Sequence, residues 1–344
     1  MRTLKVAMIG FGNAARAFAK ILIEKQEAIK NTMDCDIRIV AITTGSRGSL
    51  VCPDGIDLKE ACRQIEEAGS FDPASSPISD WSSMEVVQNG EYDVMLEMTP
   101  LQIFTGQPAI DHLKYAMQRK KHVITANKGP IAWAFRQLKE LAAQQNVCFY
   151  YETTVMDGTP VFNLVEDTLK FCRVTEVSGI LNTTTNFVLE EMAKGISYEA
   201  VMEEGRRRGF VEADPSLDME GWDAAAKTTA LLNVLMDADI TPEDIDRSGI
   251  TNITEKEIRE AEKRGCCIKL FCRGVVSGGK VVGTVKPIEV PLDELLAHID
   301  GTSSAVSITT DLMGKLTVVE HNPELLQTGY GIFSDLIRVI DYSK

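Results

Sequence analysis

The stretch TLKVAMI (3–9) is apolar enough for a buried strand and stops at a glycine, and RAFAKILIEKQEAI (16–29) follows with its apolar residues at helical spacing. The same alternation recurs. IRIVAITT (37–44) and YDVMLEM (92–98) read as strands, then AIDHLKYAMQRK (109–120) as a helix. HVITAN (122–127) is a strand, FRQLKELAAQQ (135–145) a helix and VCFYYE (147–152) a further strand. Strands alternating with helices predict a parallel, doubly wound sheet of Rossmann type, whose ligands sit beyond the carboxyl ends of its strands. Residues 49–90 read as an insertion with a helical piece (57–69), a Pro/Ser-rich loop and a short helix near 82–90.

After Tyr151 the pattern changes. RVTEVSGILN (173–182) is a strand that delivers Thr183 and Thr184, and helices over 187–195 and 198–209 follow. A helix is expected from near Met219 through Leu235. Another follows over 254–265, and then strands over 267–276, 280–290, 305–311 and 315–320. This order predicts an α+β domain on an open mixed sheet. The expected division is 1–151, joined by a C-terminal helix within 320–344, and 152–319.

Candidate chemistry begins at Gly10-Phe11-Gly12-Asn13-Ala14-Ala15, between the first strand and the first helix. This is the context of a dinucleotide fingerprint. Gly10 allows the tight turn, and Gly12 lets the backbone approach a pyrophosphate at the helix N-terminus. A plain strand–turn–helix unit is the alternative. The second strand ends without the acid that would bond a ribose 2′-hydroxyl in an NAD site. Ser46 and Arg47 follow it instead and suit a 2′-phosphate, so NADP is favoured over NAD, which remains open. Thr99 and Lys128 lie at strand ends and should face the cofactor.

The second chemical stretch, Gly209–Lys227, reads GFVEADPSLDMEGWDAAAK. Asp223 and Lys227 stand one helical turn apart on a shared face. The acids alone could equally form an acidic helix start with one surface ion pair.

Charge and composition narrow the function class. A net charge of −14 disfavours nucleic acid as a partner, and no apolar run is long enough to span a membrane. The eight cysteines show no zinc spacing or paired framework, as expected of free thiols in a reducing cytoplasm. The four histidines stand apart, with no nucleophile motif beside them.

Taken together, GFGNAA, Thr125–Lys128, YETTVMDGTP (151–160), GILNTTTNF (179–187) and the acidic stretch resemble homoserine dehydrogenase along nearly the whole chain. The match is to the short form, without a C-terminal regulatory domain. The resemblance implies an enzyme of threonine and methionine biosynthesis that interconverts L-homoserine and L-aspartate 4-semialdehyde with NAD(P), working as a cytoplasmic homodimer paired through the second sheet. It implies Lys227 and Lys128 at the reacting oxygen and Asp223 orienting Lys227. Glu212 and Asp218 would bind the substrate ammonium, with Thr183 and Thr184 in the substrate region.

The resemblance also implies a monovalent cation such as sodium on the Glu152 carboxylate and the carbonyls of Val155, Asp157 and Thr159; a simple strand-to-helix turn is the other reading. Thr183, Phe210 and the segment Glu320–Glu324 depart from the family pattern. Two alternatives accompany these departures: the same hydride chemistry on another hydroxy- or amino-aldehyde substrate, and a silent dinucleotide-binding regulator.

Overall fold

The computed structural model describes residues 1–342 except Ser75, Gly209, Phe210, Glu212 and Ala213. The chain divides into two compact units, Met1–Pro160 with Glu324–Lys344, and Val161–Pro323.

The first unit is built on a seven-stranded sheet ordered β4-β3-β2-β1-β5-β6-β7. Its strands are β1 (Arg2–Ile9), β2 (Cys35–Thr43), β3 (Ser49–Val51), β4 (Ile78–Ser79), β5 (Val94–Glu97), β6 (His122–Thr125) and β7 (Phe149–Tyr150). From β2 to β7 the pairing is parallel. The expected insertion is part of this sheet, because β3 and β4 add to its β2 edge in antiparallel pairing. With three and two residues they carry too little alternation to be read in advance.

Helices α1 (Asn13–Met33), α2 (Leu58–Glu67), α3 (Ser83–Asn89), α4 (Ala109–Gln118) and α5 (Lys128–Gln145) belong to this unit. Asp57 caps α2, and Ser82 with Glu85 forms a capping box on α3. Helix α5 begins at Lys128, earlier than the sequence pattern suggests, because the Asn127 side chain caps it by accepting from the Gly129 amide at 2.9 Å.

The segment 152–160 is bound to the C-terminal helix. The Glu152 amide donates to Asp335 at 2.9 Å, and a Cβ on Gly158 would lie 2.2 Å from the Gln327 carbonyl. In that helix Ile332, Leu336, Val339 and Ile340 are fully buried with α1 and the strands. Each such side chain contributes roughly 2 kcal/mol to the first unit.

The second unit carries a six-stranded sheet ordered β13-β12-β8-β10-β11-β9. The strands are β8 (Val174–Ile180), β9 (Asp246–Arg247), β10 (Cys266–Ser277), β11 (Lys280–Pro291), β12 (Ser304–Thr310) and β13 (Gly314–Glu320). The β9–β11 pair is parallel and the others antiparallel, giving the mixed sheet expected.

Its helices are α6 (Thr183–Ala193), α7 (Tyr198–Arg208), α8 (Ser216–Met219), α9 (Trp222–Met236) and α10 (Glu255–Lys263); the C-terminal helix of the first unit is α11 (Leu325–Tyr342). Two boundaries differ from expectation. Thr183 opens helix α6 rather than trailing a strand, because Asn182 caps it through the Thr185 amide at 2.9 Å. Met219 ends a short helix, and a new one starts at Trp222 after Gly221 turns left-handed (φ 81°).

Candidate active site: a dinucleotide cleft and a carboxylate–lysine cluster

In the first unit, Gly10, Phe11, Gly12, Asn13, Ala14, Ser46, Arg47 and Thr99 line one cavity of about 630 Å³. Gly10 has φ 100°, and a Cβ there would come within 2.3 Å of the Met98 carbonyl. Only glycine fits this close approach. A Cβ on Gly12 would instead meet open space. Gly12 offers no side chain to cap α1, and the first turn, Asn13, Ala14 and Ala15, lines the cavity where an anion would meet the helix N-terminus.

Ser46 and Arg47 are presented by a turn built on Thr44. The Thr44 hydroxyl donates to the Gly48 carbonyl at 2.8 Å and accepts from the Arg47 amide at 2.7 Å. Lys128 occupies the first position of α5. Ser83, Gln102 and His112 also line the cavity and were not anticipated. No motif marks them, since a lone histidine on a helix is usually a core residue.

In the second unit, Lys227 and Asp223 share a face of α9, with Nζ 3.4 Å from the carboxylate, and both are largely buried. Lys227 also donates to the Leu181 carbonyl at 2.8 Å. Asn182, unnoticed in the sequence, joins the acids: its amide nitrogen donates to Asp218 at 2.6 Å and to Asp223 at 3.0 Å. Its oxygen accepts from the Thr185 amide and hydroxyl, both at 2.9 Å. Asn182 is of a residue type favoured as a helix N-cap, a signal that could have drawn attention to it.

Asp218 also bonds Thr184. Burial, and then the neighbouring Asp223 carboxylate, push the Asp218 carboxyl above its ordinary range, against the opposing pull of Asn182, Thr184 and Lys227. Beneath the cluster, burial raises the Cys272 thiol to about 11, so it serves as an inert core residue. Thr183 begins α6 beside these groups in sequence, while Glu212 and Phe210 lie outside the described residues.

The oxygens named for a cation lie in the 152–160 turn. Glu152 is 3% exposed and Val155 4%. The Asp157 carboxylate accepts from the Thr328 hydroxyl at 2.6 Å, and Asp157 itself is a left-handed residue (φ 43°). A buried carboxylate and backbone carbonyls of one turn are hard oxygen donors, the type a monovalent cation takes. Among the departures, Glu320 is taken into β13, where it accepts from the Ser304 hydroxyl at 3.4 Å.

Comparison with known proteins points to one family. A family model described as homoserine dehydrogenase matches residues 160–337. The chain is 35% identical to a homoserine dehydrogenase of Methanocaldococcus jannaschii, over 99% of this chain and 100% of that one. It is 33% identical to an NAD(+)-dependent homoserine dehydrogenase of Pseudomonas canavaninivorans, over 98% and 97%. The fold superposes on the crystal structure of a putative homoserine dehydrogenase from Archaeoglobus fulgidus with a TM-score of 0.87 at 32% identity, covering 98% of this chain and 99% of that one. A glycine turn suited to a dinucleotide, a lysine beside paired carboxylates and full-length relatives of one kind lead to one assignment: the chain belongs to the homoserine dehydrogenase family, NAD(P)-dependent oxidoreductases acting on a CH–OH group.

Proposed function

We propose that the two clusters divide the work of interconverting L-homoserine and L-aspartate 4-semialdehyde. The first unit holds the dinucleotide and the second the amino acid. The observation that carries this reading is Lys227, fixed between the Leu181 carbonyl and Asp223 beside a second carboxylate.

The nicotinamide, when bound, exchanges a hydride with the carbon bearing the oxygen. This chain's residues then manage charge and protons. Lys227 takes the hydroxyl proton as homoserine is oxidised and returns it to the oxygen as the aldehyde is reduced. Asp223 orients Lys227 and holds the reacting hydroxyl, and Lys128 is the second lysine for that oxygen. Asp218 and Glu212 bind the ammonium, while Thr183 and Thr184 border the substrate, Thr184 through its bond to Asp218.

In the cofactor cleft, Gly10, Phe11, Gly12, Asn13 and Ala14 receive the pyrophosphate and Thr99 borders it. Arg47 and Ser46, which line the same cavity, take the 2′-phosphate of NADP. Glu152, with the carbonyls of Val155, Asp157 and Thr159, holds a monovalent cation and orders its turn. Pairing of two copies through the second sheet accounts for Val282 and Ile288, 45% and 39% exposed on one face of β11.

The test is an assay of purified protein with homoserine and NADP⁺ or NAD⁺, with sodium or potassium present at alkaline pH, following the absorbance of the reduced cofactor. Turnover faster with NADP⁺ is the expected result. No turnover with either cofactor overturns the reading.

A further inference from the structure

Strand β5 reads Val94-Met95-Leu96-Glu97, and its one acid is fully buried. A carboxylate in the centre of a parallel sheet is unfavourable unless donors surround it. Here Thr99 donates to Glu97 Oε1 through its amide at 3.2 Å and also through its hydroxyl. The Thr125 hydroxyl, at the end of β6, donates to Oε2 at 3.2 Å. His112, 3% exposed, brings Nδ1 to 3.6 Å from Oε1, and that nitrogen makes no hydrogen bond among the described residues.

The network continues to the cleft. The Asn127 amide donates to the Thr125 hydroxyl at 3.0 Å, and the Asn127 side chain donates to the Thr99 carbonyl at 3.2 Å. Thr99 is itself packed on the glycine turn, where a Cβ on Gly10 would lie 3.0 Å from the Thr99 amide. One carboxylate therefore ties together the ends of two neighbouring strands and the residue against which the glycine turn rests.

We propose that Glu97 is a positioning residue for cofactor binding. Its two oxygens hold Thr99 and Thr125 in register, and this fixes the part of the dinucleotide cleft's wall on which the Gly10–Ala14 turn rests. The proposal rests on the cofactor reading given above. Glu97 touches no reacting atom, so its effect falls on the dinucleotide and leaves homoserine and the chemical step alone.

The closest substitute in shape is Glu97→Gln. Its oxygen keeps the Thr99 donors, but its NH₂ then faces the Thr125 hydroxyl, which must turn its proton to the Asn127 carbonyl at 3.4 Å, so the charge-assisted bond to Thr125 is lost. Full-length E97Q and E97A are compared with the wild type for NADP⁺ dissociation constant, KM for homoserine, kcat at saturating cofactor, and unfolding temperature. The expected result is an NADP⁺ dissociation constant raised about tenfold in E97Q and further in E97A, the range for one lost hydrogen bond to a charged group. Homoserine KM and kcat stay within about twofold of wild type. A lowered unfolding temperature with unchanged NADP⁺ affinity overturns the proposal and leaves Glu97 a stability residue. If E97A does not fold, E97Q decides alone. Wild-type protein that binds neither NADP⁺ nor NAD⁺ removes the cofactor reading and this proposal with it, whereas wild-type binding equalled by E97Q removes this proposal only.

Discussion

Asp218 and Asp223 are held on a single nitrogen, the Asn182 amide, at 2.6 and 3.0 Å. Two carboxylates this near one another repel, and the shared donor is what fixes their separation. Asn182→Ala removes the donor and also the cap of α6, which is worth about 1 kcal/mol. Homoserine KM should rise about tenfold or more, in line with loss of hydrogen bonds to charged groups. KM for the cofactor should not move. Steady-state kinetics with each substrate varied in turn separate the two.

The raised Asp218 carboxyl gives a pH signature. Its ordinary value is 3.8, and the folded value lies above that, so on acidification Asp218 protonates before an exposed aspartate would. Ammonium binding needs the anion, so homoserine KM should climb as pH falls through this range. In Asp218→Asn the KM should be high and this limb absent. The stability sign runs the other way. Because folding raises the pKa, the ionised form is a penalty that is absent below 3.8 and complete above the folded value. At neutral pH, D218N should therefore melt no lower than the wild type. A melt well below it would mean that the carboxylate is held favourably.

Lys227→Ala tests proton transfer. The expected loss in kcat is roughly a hundredfold to ten-thousandfold, the usual contribution of a general acid or base, with NADP⁺ binding retained. A near-normal kcat would take Lys227 out of the mechanism.

Arg47→Ala should raise KM for NADP⁺ about tenfold or more and leave KM for NAD⁺ unchanged, since only the former carries the 2′-phosphate. Equal effects on both would assign Arg47 to the turn's structure.

Gly249 sits against the turn between α8 and α9. A Cβ there would lie 2.0 Å from the Met219 carbonyl, so the backbone must move. Gly249→Ala should cost about 1–3 kcal/mol in stability and also raise homoserine KM, because the displaced turn joins Asp218 to Asp223. Thermal unfolding and kinetics on the same preparation check both.

How much of this was legible depended on whether the signal was local. Gly10, Gly12 and the strand and helix around them are contiguous, and the cavity they line is where the sequence placed it. The Asp223–Lys227 pair follows from helical spacing alone. Asn182 did not show itself, because its two carboxylates stand 36 and 41 residues away. The run Thr183-Thr184-Thr185 hid the start of α6, since β-branched residues suit a strand as well as a capped first turn. Gly221 looked like a residue inside one helix, and only its left-handed backbone divides α8 from α9. Glu97 passed unremarked inside an apolar strand, because its meaning lies in Thr99, Thr125 and His112.

Helix α11 packs into the core of the unit that opens the chain, while residues 161–323 form the other unit between them. During synthesis residues 1–160 emerge without Ile332, Leu336, Val339 and Ile340, so the core of the first unit cannot close until α11 has been made. Residues 161–323 are contiguous and have all been made before α11 is. The unit that carries the glycine turn thus starts to form before the inserted unit and closes after it.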